Sequence, residues 1–174
     1  MITHNLKTKL QQSLSAATLV VSTLISTHVS ADSSSPLLAA YYDDFMAICN
    51  GSVYEWSDYD TPQKVMSGVK QIGIGKQNRY ALTDEGRLHY WSDDTTKSTV
   101  LMDDVKSFYA GRSGLLVIRN NGDLWHQPVE SLFGFGEKIA QPAVKIATDI
   151  LTAAVGDSAN YYVTNEGALF VKGL

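Results

Sequence analysis

The sequence predicts an all-β chain built as an array of small antiparallel sheets, and three observations predict it. A unit of fixed internal spacing recurs. Its apolar residues alternate with a period of two. Each clear copy turns on an acidic or amide pair followed by glycine. Repeats specify a scaffold strongly and a function weakly, so the repeat is read before any single residue.

The first clear copy reads Val69-Lys-Gln-Ile72-x-x-Gly75, then Tyr80-Ala-Leu82-Thr-Asp-Glu-Gly86-Arg-Leu88-His-Tyr-Trp91. The second reads Val105-Lys-Ser-Phe108-x-x-Gly111, then Leu116-Val-Ile118-Arg-Asn-Asn-Gly122-Asp-Leu124. The third reads Ile150-Leu-Thr-Ala153-x-x-Gly156, then Tyr161-Tyr-Val163-Thr-Asn-Glu-Gly167-Ala-Leu169. The two glycines lie 11 residues apart in every copy. A degenerate copy precedes them, in which Phe45-Met-Ala47-Ile leads into the Asn50-Gly51 turn signal and Val53-Tyr-Glu-Trp56 follows.

Within a copy, the β-branched stretch ending at Gly75 predicts a strand, and Tyr80 to Thr83 predicts a second by alternation. Gly86, Gly122, Gly167 and Gly51 supply the positive φ of a tight turn, after which Leu88 to Trp91 resumes a strand. The polar links at 57–62 and 92–97 predict surface loops or weak outer strands. An insertion at 131–138 lengthens the last interval. Beyond the first ~31 residues no segment sustains a 3.6-residue apolar period, so helices are expected to be scarce.

Such sheets are apolar on both faces and must stack on neighbours. Radial stacking gives a β-propeller. The predicted fold is therefore a β-propeller-type array of antiparallel blades, partial, with three clear repeats and one degenerate. Residues 36–174 form this repeat domain, with units near 36–60, 61–96, 97–140 and 141–174. Val155, Tyr161, Val163 and Leu169 of the last unit are expected to expose apolar surface and favour self-association.

Residues 1–31 read as a signal peptide. Lys7 and Lys9 start it, an apolar run spans Leu14 to Ile25, and Val29-Ser30-Ala31 fits a small-x-small cleavage site. The run is too short for a comfortable membrane span. Residues 32–35 form a short linker. Cleavage predicts an exported chain, periplasmic or extracellular, with no membrane insertion thereafter. It leaves 12 basic and 18 acidic residues, a net charge near −6. That balance argues against nucleic acid, whose backbone demands a basic surface. Cys49 is the single cysteine, so no internal disulfide is expected, and it reads as a small buried hydrophobe.

The pattern Val-x-x-Ile-x-x-Gly, apolar strand, then Asp-Gly-x-Leu-aromatic-x-Trp resembles the repeats of the regulator-of-chromosome-condensation family. The short units are similar to bacterial secreted forms of it, among them an inhibitor of β-lactamases. The resemblance implies a propeller, usually of about seven blades, and a non-enzymatic binding scaffold with a protein partner. Against about seven blades, three clear units and one weak one are expected to be a fragment or truncated product of a longer propeller, the alternatives being an open arc or closure by self-association. The chain departs from the family where Ser57 and Ser92 follow the tryptophans, and where Gln127 and Lys172 replace them. The family's chromatin-binding and exchange-factor activities are not carried over, since no residue here matches them.

Few residues recommend catalysis. His89 and His126 sit in different units at different offsets, with no zinc spacing. The pairs Asp43-Asp44, Asp58-x-Asp60, Asp93-Asp94 and Asp103-Asp104 lack the alternating ligands of a calcium loop and read as solvated turn acids. Gly134-Phe-Gly136 reads as an exposed turn, and no nucleophile elbow occurs. No catalytic, cofactor-binding or metal residue is assigned, and no cofactor is expected. Trp56, Trp91 and Tyr80 fall on the repeat and read as core. Tyr59, Phe133 and Phe135 fall off it and are the candidate surface-binding residues. Two functions fit: a binding or scaffold module for a protein, with carbohydrate as a second ligand class, or a propeller lyase or hydrolase acting on polysaccharide or peptide. An enzyme would gather polar groups of perturbed pKa at one mouth, whereas a binder would present aromatics on a rim.

Overall fold

A computed structural model describes residues 37–173 except 77, 93–96, 113, 129, 132–136 and 139–141. The leader and linker lie outside the described residues, as do Phe133, Phe135 and the Asp93-Asp94 pair. Ser34–Leu174 forms one compact unit, and it alone is described.

Four antiparallel sheets follow one another along the chain. The first is β1 (Leu38–Tyr41), β2 (Asp44–Cys49), β3 (Ser52–Ser57) and β4 (Gln63–Ser67), in that spatial order. The second is β5 (Val69–Ile74), β6 (Asn78–Thr83), β7 (Leu88–Ser92) and β8 (Thr99–Met102). The third begins with β9 (Val105–Gly111), β10 (Gly114–Arg119) and β11 (Leu124–Pro128). A small hairpin of β12 (Glu130–Ser131) and β13 (Glu137–Lys138) intervenes, within the sequence insertion, before β14 (Val144–Ala147) completes the sheet. The fourth is β15 (Ile150–Val155), β16 (Ala159–Thr164) and β17 (Leu169–Gly173). The described residues contain no helix, and the all-β, partial-propeller expectation holds.

The sheets run out of phase with the repeat units drawn at 36–60, 61–96, 97–140 and 141–174. Each fourth strand, β4, β8 or β14, closes the sheet before it and runs through one or two residues into the next sheet's first strand. The weak alternation of Gln63–Ser67 and Thr99–Met102 hid these strands.

Core forms between consecutive sheets. Met46 and Val53 of the first pack on Val69, Ile72, Ala81 and Trp91 of the second. Tyr80, Leu82 and Leu88 of the second pack on Val105, Phe108 and Val117 of the third. Leu116, Ile118 and Leu124 of the third pack on Ile150 and Ala153 of the fourth. Every sheet thus has a front, facing the next sheet, and a back, facing the one before. The second strands β6 and β10 are buried on both sides; β10 accordingly reads as a near-continuous apolar run, whereas β6 opens on the buried polar pair Asn78 and Arg79. Each fully buried Leu or Phe contributes about 1.5–3 kcal/mol, so these interfaces hold the array together.

The repeat glycines divide into two groups. Gly51, Gly86, Gly122 and Gly167 all take positive φ, between 68° and 85°, in the hairpin joining a sheet's second and third strands. In the three clear copies this is a three-residue loop. The Gly86 N–H donates to Thr83 at 3.0 Å and the Thr83 N–H to the Arg87 carbonyl at 2.9 Å. The first copy instead closes with Asn50-Gly51, both at positive φ, as a two-residue turn. Gly75, Gly111 and Gly156 lie at the far end of each sheet's first strand, where the backbone turns into the second. The turn carbonyls also stitch sheets together: Gly51 accepts from the Val69 N–H at 3.2 Å, Gly86 from Val105 at 2.9 Å and Gly122 from Ile150 at 3.0 Å.

Cys49 is exposed, contrary to the buried reading. The alternation that carries Met46 and Ile48 into the front core leaves Cys49 at the strand end beside the turn.

Candidate functional site

A cavity lies where the first two sheets meet, at the end of the strands away from the glycine turns. Its volume is about 490 Å³, and it is lined by Asp44, Glu55, Asp60, Gln63 and Arg79, among others. Asp44 opens β2 directly opposite Ser57, whose hydroxyl donates to the Asp44 carboxylate at 3.1 Å. Arg79, near the start of β6, reaches back from the second sheet to pair with Asp44 at 2.8 Å. The Trp91 indole N–H donates to Glu55 at 2.8 Å. The two cross-sheet bonds fix Asp44 and Glu55 in the cavity wall.

The loop joining β3 to β4 forms the rim. The Asp60 N–H donates to the Ser57 carbonyl at 2.9 Å, and the Gln63 amide donates to the Thr61 carbonyl and hydroxyl at 3.2 and 3.1 Å. This compact loop holds Tyr59 outward, 99% exposed. Carboxylates accept hydrogen bonds from cationic and amide groups, and an exposed tyrosine offers rigid apolar area with a polar tip.

The remaining candidates fall elsewhere. Trp91 and Tyr80 are buried, while Trp56 is half-buried and stacked on Phe45. His89 and His126 occupy β7 and β11 of different sheets, at neighbouring repeat positions that face opposite ways. Burial, then Arg87, lowers the pKa of His89, and burial, then Lys172, lowers that of His126. His89 helps line a smaller cavity of about 290 Å³ at the glycine-turn end of the same strands, with Asp84 and Arg87. Among the described residues no group of three or more His, Cys, Asp and Glu gathers as a metal would require.

Sequence reasoning singled out Tyr59, which lies exposed on the β3–β4 loop, and did not single out the Asp44–Arg79 pair or Glu55. The available signal was Arg79 itself. It occupies the repeat position that carries the buried Leu115 in the next copy, and a charge placed in a core needs a partner.

No protein-family profile and no curated protein matches the chain. Solved structures do. Yeast RCC1 (Prp20), in its complex with Kap60, matches with a TM-score of 0.61 at 19% identity, over 78% of this chain and 43% of that one. Human WBSCR16 matches with a TM-score of 0.60 at 15% identity, over 75% and 45%. The computationally designed Ika4 protein matches with a TM-score of 0.54 at 11% identity, over 79% and 89%. The fold is that of the RCC1-type β-propeller repeat, and the chain spans under half the length of Prp20 and WBSCR16.

Proposed function

We propose that this chain is an exported, non-enzymatic propeller module that binds a protein partner at the acidic cavity between its first two blades. The observation that carries the reading is Tyr59, fully exposed on the loop whose Ser57, Asp60 and Thr61 line a cavity in which cross-sheet bonds hold Asp44 and Glu55. A rim of this kind suits a basic, partly apolar protein surface. Prp20, which shares the fold, is seen bound to Kap60. Cleavage after Ala31 delivers the module to the periplasm or exterior. Self-association through the terminal blade belongs to the same reading.

The test is paired capture. Wild type and a Tyr59→Ala/Asp60→Asn variant are immobilised and exposed to exported proteins of the source cell and to a glycan array, alongside hydrolase and lyase screens with model polysaccharides and peptides. The expected result is a protein retained by wild type and lost from the variant. Equal retention by both, a glycan as the sole ligand, or turnover of any screened substrate would each overturn the reading.

A further inference from the structure

The two ends of the array carry the two halves of one interface. Leu88 and Leu124 hold the same position on the front of the second and third sheets, each opposite an aliphatic residue of the neighbouring strand, and both are 0% exposed. Leu169 holds that position on the front of the fourth sheet, opposite Val163, and is 66% exposed. Tyr80 is likewise buried where its counterpart Tyr161 is exposed. The Gly167 turn has the geometry of the Gly86 and Gly122 turns, whose carbonyls accept from the next sheet, yet among the described residues no such donor reaches it.

At the other end, the back of the first sheet presents Leu38, Ala40, Phe45, Ala47 and Trp56. By strand register, Leu38, Ala47 and Trp56 stand where Ile72, Ala81 and Trp91 stand on the back of the second sheet. Those three are buried against the first sheet's front. Leu38 is 72% exposed.

We propose that a second copy of this chain covers both ends, head to tail, so that two four-blade arcs close one ring. The proposal deepens the self-association reading above by naming the surfaces and the symmetry. Continuity carries it, since the front-to-back contact is already made three times within the chain and the open faces repeat its pattern. The faces also match in charge. Where the first two blades set Asp44 against Arg79, the register sets Ala159 against Phe45, so closure buries no unpaired charge there. A head-to-tail contact either closes a ring or runs on as a filament. Two copies give eight blades, within the usual range of four to eight, whereas three give twelve.

The test is sedimentation and light scattering of the purified full chain, with Leu38→Glu and Leu169→Glu variants checked for native circular dichroism. These substitutions lie on exposed positions, so both should fold. Wild type should be a dimer, and each variant should lose dimer affinity by about tenfold or more. Mixing the two variants should restore a dimer held by one wild-type interface and weaker than the wild-type ring, because each variant retains the face the other lacks while the second interface carries both glutamates. A folded wild-type monomer would overturn self-association altogether. A dimer insensitive to both substitutions, or variants that fail to complement, would leave self-association standing and overturn the head-to-tail ring. Open filaments would overturn closure. A longer natural product, with further blades seated on Leu169, would overturn the second copy as occupant.

Discussion

Gln71 holds Phe108 by both backbone groups. Its side-chain amide donates to the Phe108 carbonyl at 2.5 Å, and its side-chain oxygen accepts the Phe108 N–H at 3.2 Å, all buried. The two residues lie on the first strands of adjacent sheets, so the glutamine acts as one rung of a strand between blades. Removing it strands a buried donor and a buried acceptor, each costing about 1–3 kcal/mol. Gln71→Ala is therefore expected to lower stability by at least ~1 kcal/mol. Urea melts should show a lower midpoint with an unchanged slope, and a midpoint equal to wild type would remove the rung from the account.

Gly111→Ala is expected to pry the third and fourth sheets apart. A Cβ added at Gly111 would sit 2.4 Å from Val155 Cγ1 and 2.7 Å from its Cβ. Overpacking of this kind costs about 1–3 kcal/mol. Val155→Ala in the same background removes the clashing methyl groups and should recover part of the loss, giving a coupling measurable in a double-mutant cycle. Strict additivity of the two changes would show that the contact is not what limits the site.

The turns and second strands were legible in the sequence because their chemistry is local. Gly86, Gly122 and Gly167 take a backbone conformation that a side chain resists, and Leu115 to Ile118 is buried on both faces. What was not legible depends on distant partners. Gln71 reads as an ordinary polar strand residue until Phe108 is placed beside it. Asp44 reads as a solvated turn acid until the second sheet brings Arg79 against it. The fourth strands fail for another reason: β4, β8 and β14 are half-exposed, and their mixed composition does not distinguish strand from loop. Around the candidate site, Tyr59 stands out in the sequence because it breaks the repeat, and Arg79 could have stood out because it puts a charge where the next copy has Leu115.

Arg79 and Asp44 should behave as a pair. The Arg79 side chain is largely buried, and the salt bridge anchors one wall of the cavity. Arg79→Leu alone leaves the partly exposed Asp44 carboxylate without its cation, and a loss of about 1–3 kcal/mol is expected. Leucine itself suits the position, since Leu115 is buried at the same place in the next blade. Adding Asp44→Asn should therefore restore much of the stability. If the double variant is no more stable than Arg79→Leu, packing rather than charge sets the cost.

Stability should fall as the solution turns mildly acidic, and His126 should be one cause. Burial, the larger effect, and then Lys172 hold its pKa below the ordinary 6.5. Below pH 6.5 the unfolded chain therefore binds protons that the folded chain refuses. The contribution of His126 is fully present above that value, declines as pH drops, and levels off once the folded-state pKa is passed. His89 is shifted the same way, by burial and Arg87, so the two add over one window. Asp123 acts in a separate one. Its pKa is lowered chiefly by its bond to Lys145, so its contribution is kept above its ordinary 3.8 and lost only in stronger acid. Urea midpoints measured from pH 8 to pH 5 should decline below 6.5 in wild type. The decline should be shallower in His126→Gln and shallower again when His89→Gln is added. An unchanged slope in the double variant would assign the acid sensitivity to other groups.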